Sequence, residues 1–256
     1  VSSEERKKWY GGRNLGSKDN MLVNNLLFVS LAPVLIIALY VYSRDKYEKE
    51  PLAILLRALM AGVAIVLPVV LVERFLSSAA SETEGLAYVA YTAFIVAGLT
   101  EEAFKYIVFL LFFWNNRNFN EKFDGIVYAV YIALGFAAIE NLLYVFTGGV
   151  GVGMIRAITA VPAHALFGIV MGFYLSKAKF SENYRSLFLF LAFFMPFVFH
   201  GIYDFLLMSQ SPVMLVIFVP LFIYFWVSGF RKMAISSDES SFRDSNNYQN
   251  KDGYSG

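Results

Sequence analysis

The feature that most constrains this chain is a series of apolar runs, each about as long as a bilayer is thick. Predominantly apolar stretches cover residues 22–42, 52–76, 86–114, 123–147, 154–176, 186–208 and 212–230. A run of roughly 18 or more apolar residues is enough for an α-helix to cross the hydrocarbon core. Lipid offers no partner to backbone N–H and C=O groups, so these spans must be helices. Composition agrees, with 58% hydrophobic residues, 26 Phe and only 16% charged residues, against about 25% charged in a soluble domain. The expected fold class is therefore all-α, a polytopic membrane bundle of about seven helices. A net charge of +1 gives no footing for nucleic acid. The absence of cysteine excludes disulfides, thiolate metal sites and cysteine nucleophiles.

Organisation follows from where polarity returns. Residues 1–20 form a polar N-terminal segment unlike a cleavable signal, and Met21, just before the first apolar run, is a second candidate start. Whether residues 1–20 are native stays open. Residues 21–232 form the membrane domain, and residues 233–256, rich in Ser, Asn, Asp and Gly, are expected to be a disordered tail. Basic residues mark alternate loops: Arg44, Lys46 and Lys49; Arg117 and Lys122; Lys177, Lys179 and Arg185; then Arg231 and Lys232. The loops 77–85, 148–153 and 209–211 carry no Lys or Arg. By the positive-inside rule the basic loops and the C-terminus are cytoplasmic. Gly168 and Gly172 read as helix contacts, and Gly148, Gly149, Gly151 and Gly153 as a loop rather than a phosphate cradle.

Against this apolar background stand Glu101, Glu102 and Lys105 in the third span, Glu140 in the fourth, His164 in the fifth, and His200 and Asp204 in the sixth. A charge at the bilayer centre costs roughly 2.5–3.5 kcal/mol on insertion scales, so such residues are retained for a reason. Glu101 and Lys105 share a helical face, as do His200 and Asp204. Taken singly, a Glu–Lys pair reads as packing, and a membrane histidine as a helix–helix hydrogen bond. Seven such groups on four spans, including both histidines of the chain, read as one pocket opening outward.

These residues fall in segments that resemble the PrsW family of intramembrane proteases. The matching pieces are Glu101-Glu102-Ala103-Phe104-Lys105, Phe123-Asp124-Gly125, Gly135-Phe136-Ala137 with Glu140-Asn141, Arg156 with His164-Ala165, and His200-Gly201 with Asp204. Asp45-Lys46-Tyr47-Glu48-Lys49-Glu50-Pro51 also resembles the family. The resemblance spans roughly residues 22–232 and extends distantly to CAAX prenyl endoproteases. It implies a multi-pass protease of the bacterial cell membrane. Such an enzyme makes the first, extracytoplasmic cut in a single-pass anti-sigma factor and so activates a stress-response sigma factor. By carry-over, Glu101, Glu102, Glu140, His164 and His200 are catalytic. Glu121 also matches a family glutamate, but the expected topology places it far from the cluster.

No Ser or Thr pairs obviously with the histidines, so an activated water is the better nucleophile. A buried carboxylate beside a like charge suits general-base work. Glu101 or Glu102 is expected to be the base, with the other carboxylate, tempered by Lys105, holding the water or donating the proton. His164 and His200 would stabilise the oxyanion, and Asn141 would add a donor. A metal branch is equally open. His164 and His200, with Glu140 or Asp204, supply three zinc ligands and leave a position for water. The main rival is a transporter or channel using the same ionisable cluster, which predicts polar residues from one face to the other.

Overall fold

The computed structural model describes residues 3–80, 84–181 and 183–243, with side chains from residue 20 onward. Among them every regular element is helical. The order is α1 (Ser3–Arg44), α2 (Leu52–Ala79), α3 (Gly85–Tyr91), a π-helical segment (Thr92–Leu99), α4 (Thr100–Phe112), α5 (Lys122–Ile158), α6 (Ala160–Phe180), α7 (Arg185–Met208) and α8 (Pro212–Asp238). Five stretches are long and apolar enough to cross a membrane: Asn20–Arg44, Leu52–Ala79, Lys122–Phe180, Arg185–Met208 and Pro212–Asp238. The third of these runs through α5 and α6. The expected third span is divided among α3, the π-helical segment and α4.

The side chains sort as a bilayer requires. Phe28, Leu67, Phe75 and Val216 are exposed on the outside of the bundle. The interior is organised around α5, which packs against α1, α2 and α6 and buries an unbroken run from Phe123 to Ala138. Its neighbours approach closely enough to require glycine. A Cβ on Gly135 would lie 1.9 Å from the Leu59 carbonyl oxygen, and one on Gly62 would lie 2.0 Å from that of Ile132, so α2 and α5 interlock. Gly172 meets the Gly125 backbone in the same way between α6 and α5, with a virtual Cβ at 2.2 Å.

Three expectations change. The loop expected at 148–153 is a kink inside α5, carried by Gly149 at φ 79°, a backbone conformation that only glycine adopts at little cost. The next long helix begins at Ala160, not at 154, because Thr159 leaves helical geometry (φ −119°, ψ −73°). This break has a purpose. Arg156 Nε lies 3.0 Å from Asn141 Oδ1, although fifteen residues of straight helix would separate them by roughly 22 Å. The kink folds the chain back. The tail expected from 233 is helical as far as Asp238, because Met233, Ser236 and Ser237 are buried against the bundle. Residues 244–256 of that tail, and residues 1–2 of the N-terminal segment, lie outside the described residues.

Candidate active site

The paired glutamates directly follow the π-helical segment, a form of helix that recurs at functional sites. Helix α7 presses against that segment through Gly201, where a Cβ would lie 2.2 Å from the Phe94 ring. The residue before this contact is His200, and its Nδ1 lies 2.9 Å from Glu102 Oε1. Close packing at a small residue thus sets the reach of the histidine.

Lys105 is the hub. Its Nζ donates to Glu101 Oε2 at 3.0 Å and to Glu102 Oε1 at 2.9 Å, and lies 3.2 Å from His164 Nδ1. The same ammonium sits 4.3 Å from the centre of the Phe136 ring, a cation–π contact. An ammonium only donates, so His164 Nδ1 accepts and Nε2 carries the proton. That proton points at Glu140 Oε2, 2.7 Å away. Glu140 is held in turn by Arg156, whose Nη2 lies 3.0 Å from Oε2 as an ion pair out of line for a hydrogen bond. Arg156 lies over the Tyr144 ring at 4.0 Å and donates to Asn141. Asn141 donates to the Ser30 carbonyl at 2.9 Å. His200 has a parallel arrangement: Asp204 Oδ2 lies 3.3 Å from Nε2, and the ring stacks on Phe167 at 4.9 Å.

These residues border a cavity of about 720 Å³, lined among others by Glu73, Glu101, Glu140, Arg156, His164 and His200. Its lining also includes the C-terminal ends of α2, α5 and α7 and the start of α6, which alternation of the helices places at one end of the bundle. Seven expected residues converge here: Glu101, Glu102, Lys105, Glu140, His164, His200 and Asp204. Two of the expected residues have defined partners. Asn141 is fully buried, with its amide engaged by the Ser30 carbonyl and Arg156. Glu140 lies outside the tightest donor set. The set whose ligand atoms all lie within 4.8 Å of one another is Glu101, Glu102, His164 and His200, and Glu140 stands behind His164 as its hydrogen-bond partner. Carboxylates in that place orient a ligating histidine.

The sequence reading missed Glu73, which reaches the cavity from the end of α2 beside Arg74. An acid next to an arginine within a long apolar helix was the available signal. Arg156 entered only among the family-matching residues, with no role in the site.

A sequence profile described as "PrsW family intramembrane metalloprotease" matches residues 50–227. The chain is 38% identical over 203 residues to "Protease PrsW" of Oceanobacillus iheyensis, covering 79% of this chain and 92% of that protein. Against "Protease PrsW" of Geobacillus kaustophilus it is 40% identical over 188 residues, covering 73% and 81%. With the Bacillus subtilis protein of the same name it shares 34% over 208 residues, covering 81% and 93%. The chain belongs to the PrsW family. It is therefore an intramembrane protease, a peptide hydrolase. No solved structure matches it. Membership also weighs against the transporter reading, and so does α5, where Val127, Val130 and Leu134 are fully buried apolar residues between the cavity and the opposite end.

Can this PrsW-family site hold the metal its family description names? Two imidazoles and two carboxylates suit zinc. Glu102 is fully buried, and its Oε2 has no hydrogen-bond partner. An orphaned oxygen on one of four close donor residues fits a cation, which would share the set with the Lys105 ammonium already touching Glu101, Glu102 and His164.

Proposed function

We propose that this chain cleaves a single-pass membrane anti-sigma factor on its extracytoplasmic side, using a water activated by Glu101 with zinc held by His164, His200 and Glu102. The observation that carries this reading is the convergence of Glu101, Glu102, His164 and His200 within 4.8 Å beside a cavity at one end of the bundle. We place seven crossings in the membrane, with 85–112 as the third. The basic loops and the C-terminus then lie in the cytoplasm, and the cavity opens outward.

Accessibility divides the labour of the two glutamates. Glu101 lines the cavity, whereas Glu102 does not and is fully buried. Glu101 therefore faces substrate and serves as base, and Glu102 serves as a ligand. Bound zinc lowers the pKa of water and polarises a carbonyl. Glu101 takes a proton as the water oxygen bonds to the scissile carbonyl carbon. It returns that proton to the amide nitrogen as the C–N bond breaks. Lys105 keeps two like charges together and holds Glu101 Oε2 toward its partner. Glu140 and Asp204 fix the ring orientations of His164 and His200. Arg156 fixes Glu140.

Co-expression with a tagged single-pass anti-sigma factor tests the function. Cleavage is expected with the wild-type chain and lost with Glu101→Gln. A Glu101→Gln variant that still cleaves removes the base from this scheme. Metal analysis of the purified chain tests the zinc assignment separately, with stoichiometric zinc expected in the wild type and lost in His164→Ala. Active protein without metal would leave the glutamate base standing and remove the ligand roles.

A further inference from the structure

At the far end of α5 from the cavity, four carboxylates meet with no cation between them. Asp45, Glu50, Glu121 and Asp124 are 0–4% exposed. They come from the turn after α1, the start of α2 and the start of α5. Among the described residues none of them forms an ion pair with Lys or Arg. The nearby cations are engaged elsewhere. Lys49 stands over the Tyr42 ring. Lys179 donates to the Trp114 carbonyl and covers the Phe119 ring, and Lys122 pairs with Glu239.

Hydrogen bonding uses only half of these groups. Asp45 Oδ2 accepts from the Glu50 amide at 3.0 Å. Asp124 Oδ2 accepts from the Asn120 and Glu121 amides at 2.9 and 2.7 Å, and Glu121 accepts from the Ser240 hydroxyl. Of the remaining oxygens, Asp45 Oδ1, Glu50 Oε2 and Asp124 Oδ1 are buried without a partner. A neutral group points the same way. The Tyr128 hydroxyl is fully buried and turned toward Glu50, which also faces Asp124, without settling into a well-formed hydrogen bond. Burying ionised carboxylates without a counter-charge costs several kcal/mol each. A shared proton would satisfy one pair of oxygens. A cation that keeps part of its water shell would reach the orphaned oxygens directly or through those waters.

We propose that Asp45, Glu50 and Asp124, with the Tyr128 hydroxyl beside them, form a second cation site that takes a partly hydrated hard divalent ion of the magnesium class. The donors are all oxygen, which selects hard cations over zinc. They are less tightly gathered than the active-site set, which is the one group of described residues with ligand atoms all within 4.8 Å. The ion therefore keeps part of its water shell, as magnesium does. Bound there, it ties the turn after α1 to the first turn of α5, and so to the helix that carries Glu140.

The test uses the full chain in detergent micelles, freed of metal with EDTA. Millimolar MgCl2 is expected to raise Tm by several degrees, and MnCl2 to give a bound electron-spin resonance signal. Both responses persist in His164→Ala and disappear in Asp124→Asn and Glu50→Gln. In EDTA, Asp124→Asn is about as stable as the wild type, because asparagine keeps an oxygen acceptor for the Asn120 and Glu121 amides. If Asp124→Asn fails to fold, Glu50→Gln and the wild-type responses still decide. The site is ruled out if Mg2+, Ca2+ and Mn2+ all leave the wild-type Tm unchanged. It is equally ruled out if the responses survive in Glu50→Gln, or vanish with His164→Ala alone.

Discussion

Helix α5 carries an acidic cluster near each end, and the two differ in how their charge is balanced. Asp124 and Glu140 are separated by roughly 24 Å of helix. At the cavity end every carboxylate except Glu73 has a cationic or imidazole neighbour: Lys105 for Glu101 and Glu102, Arg156 and His164 for Glu140, and His200 for Glu102 and Asp204. At the far end Asp45, Glu50, Glu121 and Asp124 have backbone amides and a serine hydroxyl instead. The first cluster is a network of opposing charges whose members hold one another in place, which suits groups that must act on a substrate. The second is a set of acceptors awaiting a positive charge from outside the chain. Similar residue types, at comparable burial, thus serve reaction in one place and binding in the other.

The sharpest way to break this comparison is to remove one cation. Lys105→Met leaves two buried carboxylates facing each other. It should abolish cleavage and lower stability by about 3–5 kcal/mol, read from thermal unfolding in micelles. A Lys105→Met protein as stable as the wild type would mean the cavity cluster was never balanced by that lysine. Next in size is the shared wall. Gly135→Ala drives a methyl group into the Leu59 carbonyl and should cost about 1–3 kcal/mol, weakening cleavage and the Mg2+ response together. A loss confined to one end would show that the two clusters do not depend on the same α2–α5 contact. Arg156→Leu should act more narrowly. It should lower kcat about 10–100-fold with KM nearly unchanged, and Glu140→Gln should add little to it, since both act through His164. Additive losses in that double variant would separate the arginine from the histidine.

Much of the cavity end was legible in the sequence because charge is rare in apolar helices. Glu101, Glu102, Lys105, Glu140, His164, His200 and Asp204 stand out wherever they face, and their convergence needed only that the spans pack. What was not legible depended on backbone geometry. Nothing in the run from Thr147 to Arg156 announces that Gly149 turns the chain back. Arg156 therefore read as a residue without a role in the site and Asn141 as a free donor. Glu140 was placed on the metal because depth in the span is visible in a sequence, whereas which face of His164 it meets is not. The far cluster was hidden for the opposite reason. Asp45 and Glu50 lie in a loop with Lys46 and Lys49, and Glu121 and Asp124 flank Lys122, where acids are ordinary. Only their burial makes them unusual.

The smallest expected effect distinguishes the clusters by proton and not by mutation. Burial pushes Asp45 up to about 6 from 3.8, and Glu50 and Glu121 up to about 7 from 4.5. Neighbouring carboxylates add to the rise in each case, and Lys49 offsets part of it at Asp45. A carboxyl whose pKa is higher in the folded state binds more protons there than in the unfolded chain. Its contribution is then fully present below about pH 4 and is lost as pH rises through about 6 to 7. In EDTA, Tm should therefore fall between about pH 5 and pH 7.5. Glu121→Gln should flatten that fall, since its neutral side chain has no proton to lose. Added Mg2+ should flatten it from the other side, because the cation favours the ionised form that the higher pH creates. A Tm that rises over the same interval in EDTA would mean these carboxylates are ionised and satisfied within the protein, and the contrast between the two ends of α5 would collapse.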